Sequence, residues 1–111
     1  MSSRQIPLEV KRALEELQKT LIEVYGERLR GVYLYGSYAR GDFKPDSDID
    51  ILIALEGEVI PGREIDRIGD RVADICLDHD VLIGTFPVSE QWLRERKSPF
   101  FEMVRREGRR L

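Results

Sequence analysis

Five consecutive apolar residues, Ile51 to Leu55, follow directly on the tripeptide Asp48-Ile49-Asp50. A segment apolar at every position suits a strand covered on both faces, so the two carboxylates sit at the mouth of a buried element. Side chains alternate across a strand: Asp48 and Asp50 share one face, and Ile49, Ile51 and Ile53 share the other. Aspartate is disfavoured in strands, and like charges on one face repel. Charge held there without a counterion is costly. A hard divalent cation answers that cost, since Mg²⁺ is held by one or two carboxylates together with phosphate oxygens. The plainer alternative is an Asx-rich turn over Asp46, Ser47 and Asp48, with Asp50 on an exposed edge.

Three features weigh against the turn. Gly36-Ser37 closes one β-rich segment and opens a short helical turn; glycine lets backbone approach a phosphate, and amides at a helix start attract anions. Gly36 to Gly41 fits the first part of a G-x-x-x-x-G loop, but Asp42 stands where a P-loop needs Lys and then Ser or Thr, which disfavours Walker-type chemistry. Asp80, read as opening the strand Val81-Leu82-Ile83, offers a third carboxylate that would complete a cage for two metal ions. Asp78 lies two residues away and competes for that role. His79 between them reads as a surface residue rather than a metal ligand. Finally, Arg40 and Lys44 lie in the same loop, placed either to contact phosphates or to pair with Asp42 and Asp46.

The remaining pattern predicts alternating elements. Val10, Leu14, Leu17, Leu21 and Val24 form one stripe of a helix over 7–25, stopped by Gly26. Leu29 to Tyr35 reads as a strand with Val32 and Leu34 on one face and Tyr33 and Tyr35 on the other. A second strand is expected over 48–55, a helix over 63–77, and a third strand over 79–85 closed by Pro87. Ser89 caps a short helix with Trp92 and Leu93, and Ser98-Pro99 opens a last helix ending near Gly108. The link between the first two strands is too short for a crossover helix, so they pair antiparallel. The expected fold class is α/β (α+β): a small mixed β-sheet with helices, covered on one face.

The chain has 111 residues, the size of one domain, with a net charge of −3 that gives no overall attraction to nucleic acid. The arginines at 105, 106, 109 and 110 are read as a solvated helix end. Cys76 is the single cysteine and is expected as a buried thiol in a reducing compartment. No export segment or membrane-length apolar run is read, so the cytoplasm is the expected location, without membrane contact.

On Gly36-Ser37-Tyr38-Ala39-Arg40-Gly41 and Ser47-Asp48-Ile49-Asp50, the chain resembles the minimal nucleotidyltransferases of the DNA polymerase beta-like nucleotidyltransferase superfamily. Their signature is Gly-Ser, ten residues, then Asp-x-Asp. The resemblance spans roughly residues 29–85 and implies one nucleotidyltransferase domain over 1–111. It implies that Gly36 and Ser37, with Arg40 and Ser47 in the matching motif, hold a nucleoside triphosphate, ATP by analogy. It further implies that Asp48, Asp50 and Asp80 bind Mg²⁺, as two ions, with Asp80 assisting deprotonation of an incoming hydroxyl. Minimal members resemble antitoxins that transfer AMP to a HEPN-type RNase toxin, so a hetero-oligomer with such a toxin is the implied partner. The rival readings are an antitoxin that works by binding alone, with Trp92, Phe100, Phe101 and the arginine tail as its interface, and a small-molecule nucleotidyltransferase. The last needs an acceptor surface that the chain does not supply by itself.

Overall fold

The structure is a computed structural model that describes residues 5–111. Helix α1 (Leu8–Tyr25) buries Val10, Ala13, Leu14, Leu17 and Leu21. Pro7 precedes it, where a missing N–H costs nothing, and its carbonyl accepts the Lys11 N–H at 3.1 Å. Gly26 ends the helix at φ 54° and leads through one 3₁₀ turn, Gly26–Arg28, into β1 (Leu29–Tyr35).

Beyond the short helix α2 (Ser37–Arg40), β2 (Ile49–Leu55) runs antiparallel to β1, with Tyr35 opposite Asp50 and Val32 opposite Ile53. Helix α3 (Pro61–His79) then crosses over, and β3 (Ile83–Ser89) returns parallel to β2. The sheet order is β3-β2-β1-β4, where β4 is the pair Arg109–Arg110 lying antiparallel to β1. This is the mixed sheet expected.

Both faces are covered, however. Val32, Leu34, Ile49, Ile51, Ile53 and Leu55 pack with residues of α1 and α3. On the other side Leu52, Ala54 and Val88 pack against Leu93 of α4 (Glu90–Glu95) and Phe101 and Val104 of α5 (Pro99–Glu107). The one-sided cover expected from the sequence is thus corrected: two short helices, each started by a serine, close the second face. Ser89 Oγ accepts the Trp92 N–H at 3.1 Å and Ser98 Oγ accepts the Phe101 N–H at 3.2 Å. Phe101 is core, and Phe100 is partly buried with its ring edge-on to Tyr35, Phe86 and Phe101.

Two boundaries also move. α3 runs to His79 because the buried face of Ile68, Val72 and Ile75 continues into contacts with α1. β3 begins only at Ile83 and passes through Pro87, which an edge strand tolerates because its outer side has no ladder to complete. The last helix ends at Glu107, as expected, but the arginines of the tail are not all simply solvated: Arg110 of β4 donates to the Arg30 carbonyl at 2.8 Å, and Arg105 donates to the carbonyls of Leu93 and Arg96. Among the described residues no helix is long and apolar enough to cross a membrane.

Candidate active site

The strand–turn–helix at Gly36 places backbone directly against a carboxylate. Gly36 has φ 75° and ψ −152°, and a Cβ there would run into Oδ2 of Asp50. Only glycine satisfies both demands. From this turn α2 starts at Ser37, whose carbonyl accepts the N–H groups of Gly41 and Asp42 at 2.9 and 3.2 Å. Tyr38 and Phe43 stack at 4.2 Å between ring centroids and bury the root of the loop.

Asp50 is the second residue of β2 and half-buried; Asp48 lies just ahead of the strand and is exposed. The Ile49 N–H between them donates to the Leu82 carbonyl at 2.8 Å, which fixes the pair to the segment that follows α3. Burial first, and then the neighbouring Asp48, hold the Asp50 carboxyl above the ordinary carboxylate range, while Arg40 opposes the shift. The same field reaches Tyr35, whose hydroxyl is pushed up by burial and then by Asp50. A cation between the two carboxylates relieves the repulsion that raises Asp50. The donor set, two carboxylates beside a turn open to phosphate oxygens, therefore fits Mg²⁺.

The structure brings together Gly36, Ser37, Asp48 and Asp50. Arg40 sits at the rim, 3.3 Å from Asp42 and 3.7 Å from Glu107. Ser47 is committed to the loop, its Oγ accepting the Lys44 N–H at 2.7 Å, and Lys44 is exposed. Asp80 does not open a strand. It caps α3 in the left-handed region at φ 51° and is exposed. It lines a groove of about 660 Å³ together with Asp46, Ser47, Asp48 and His79; Asp50 is not part of that lining. Asp78 is on the exposed surface of α3. Among the described residues, no three His, Cys, Asp or Glu side chains gather closely enough to hold a metal ion. The three-acid cage is therefore not formed.

What stands beside Asp50 on the neighbouring strand is Gly84, its register partner across the parallel ladder. Sequence reasoning missed it because parallel register is set by the α3 crossover and not by local spacing. His79 is no ligand: its Nδ1 lies 2.8 Å from Glu9 Oε2 and its Nε2 2.7 Å from Glu16 Oε2, tying α3 to α1. Cys76 is half-buried, its Sγ accepting the Ile83 N–H at 3.4 Å.

Residues 9–85 match the family described as Nucleotidyltransferase domain, and the chain belongs to that family. Among similar proteins, one from Methanocaldococcus jannaschii, provisionally named a protein adenylyltransferase, is 34% identical over 89% of this chain and 94% of its own length. The protein adenylyltransferase MntA of Thermococcus cleftensis is 46% identical over 43% of this chain and 46% of its own. A crystal structure of a toxin-antitoxin with AMP-PNP shares the fold at a TM-score of 0.59 and 23% identity, covering 86% of this chain and 69% of that one. A mutant MntA-HpeT toxin-antitoxin structure does so at 0.56 and 24%, covering 87% and 70%.

Proposed function

We propose that residues 1–111 act as one nucleotidyltransferase domain that moves AMP from ATP to a hydroxyl of a partner protein. The partner we favour is a toxin, of the HEPN RNase type, disarmed by the modification. The observation that carries the chemistry is the Asp48–Asp50 repulsion beside the Gly36-Ser37 turn. The relatives named protein adenylyltransferases support the acceptor class.

In this reading the Gly36-Ser37 turn orients the β and γ phosphates. Asp48 and Asp50 would hold Mg²⁺, which when bound neutralises phosphate charge and the carboxylate pair together. The acceptor oxygen attacks the α-phosphorus in line; the new O–P bond forms as the bond to pyrophosphate breaks. The hydroxyl proton passes to a carboxylate at the groove, and Asp80, which shares that groove with Asp48, is our candidate acceptor. Arg40 steadies the departing charge at the rim. Positioning and charge neutralisation carry the rate.

The test is transfer of label from ATP labelled at the α-phosphorus, with Mg²⁺, to the protein encoded beside this chain. Labelled partner with the native protein, and none with Asp48→Asn plus Asp50→Asn, is the expected result. Label surviving in the double variant overturns the catalytic assignment. Neutralisation of the partner without any nucleotide would favour an antitoxin that acts by binding alone.

A further inference from the structure

The outer side of α3 carries two parallel rows that the fold does not use. Ile65, Gly69, Ala73 and Leu77 recur every four residues, and one position further on Asp66, Asp70, Asp74 and Asp78 do the same. The first row, with Leu82 and Thr85, lines an apolar groove of about 550 Å³ between α3 and the open edge of β3. Leu77 is 80% exposed and Leu82 61%. The floor is low: a Cβ added at Gly69 would meet nothing within 4 Å. Leu82 also lines the groove beside Asp48, so the two depressions adjoin at this residue.

The second row is the charged rim. All four aspartates are exposed, and none has an ion-pair partner among the described residues, whereas the neighbouring Arg67 and Arg71 pair with Glu64 and Glu23. Like charges four apart weaken a helix, and Asp74 and Asp78 stand toward the negative end of its dipole. Within this chain the row is a cost with no return.

We propose that this groove docks a basic amphipathic helix of a partner protein, with apolar anchors in the Ile65–Leu77 row and Lys or Arg side chains along the aspartates. The charge of the rim selects the occupant. A second copy packed antiparallel about a twofold axis would set the two aspartate rows on the same side, facing each other. The rim is roughly 18 Å long at 1.5 Å per residue, enough for three turns of a partner helix. The nearness of the two grooves at Leu82 makes that partner the acceptor, a step that rests on the transferase reading; the docking itself does not.

A fluorescein-labelled synthetic helix of roughly five turns, with leucine on one face and lysine flanking it, tests the docking by anisotropy without nucleotide. A version with glutamate for lysine is the control. The lysine peptide should bind, weaken with salt, and lose at least about tenfold in affinity with Leu77→Asp plus Leu82→Asp, both exposed positions. Asp70→Lys plus Asp74→Lys should transfer the preference to the glutamate peptide. Equal binding of both peptides, no binding at about 1 mM, or binding indifferent to all four substitutions overturns the proposal. So does a native protein that sediments as a dimer and is made monomeric by Leu77→Asp. Peptide binding without any label transfer would count against the transferase reading alone.

Discussion

Asp50 of β2 stands in register with Gly84 of β3, and a Cβ on Gly84 would lie 4.0 Å from Asp50 Oδ1. The two-carboxylate character of this centre follows from that pairing. The strand neighbour best placed to contribute a third acid has no side chain, and Asp80 is held at the end of α3.

Gly84→Asp should therefore change the response to metal. The backbone there is not left-handed, so the side chain fits without backbone strain. A carboxylate beside Asp50 adds repulsion, and the melting temperature without Mg²⁺ should fall by several degrees, about 4–8 °C per kcal/mol for a domain of this size. Saturating Mg²⁺ should restore more stability to this variant than to the native chain. Equal Mg²⁺ shifts in the two proteins would show that position 84 does not face the cation.

Asp50→Asn should stabilise the metal-free protein. A carboxylate whose folded pKa lies above its ordinary 3.8 costs stability once ionised, and that cost fades as pH falls through the raised value. At neutral pH the amide removes both the burial penalty and the repulsion from Asp48. Thermal melts should show a higher midpoint for the variant at pH 7, a gap that closes on acidification, and no midpoint rise with Mg²⁺. A lower midpoint at pH 7 would contradict the electrostatic account of this pair.

Gly36→Ala combines a side chain at φ 75° with a collision against Asp50 Oδ2. The strain should cost roughly 1–3 kcal/mol by denaturant titration. Displacing Asp50 by an ångström should lower transfer on the order of 100-fold. Native stability in this variant would mean that the turn yields without strain.

The pair Asp48 and Asp50, the Gly36-Ser37 turn, α1 and the antiparallel β1–β2 hairpin were all legible because each is a local pattern whose period declares it. The end of α3 was not. Asp78-His79-Asp80-Val81-Leu82-Ile83 reads as the approach to a strand, yet His79 is held helical by two glutamates 63 and 70 positions away. Asp80 is then the left-handed residue that turns the chain, a role its sequence neighbours do not announce. Pro87 misled for a related reason: proline argues against a strand only where both edges are paired, and edge position is a property of the sheet. The two-residue β4 carries arginines and no apolar alternation, and its place comes from β1 alone.

The His79 link should make stability depend on pH in a defined window. Both ring nitrogens meet carboxylates, an arrangement that needs the charged imidazolium, and the hydrogen bonds it donates to Glu9 and then Glu16 raise the His79 pKa above its ordinary 6.5. A raised histidine contributes fully below 6.5 and loses its contribution as pH climbs through the folded value. Glu9 works in the opposite sense. Its carboxyl is held below 4.5 by His79 and then Arg12, so its share is present above 4.5 and lost as pH falls through the folded value. The α1–α3 tie is therefore strongest between about 4.5 and 6.5. Urea midpoints of the native chain and His79→Gln, measured across pH, should differ most inside that window and converge above it. A constant difference at every pH would mean that His79 contributes packing and not charge.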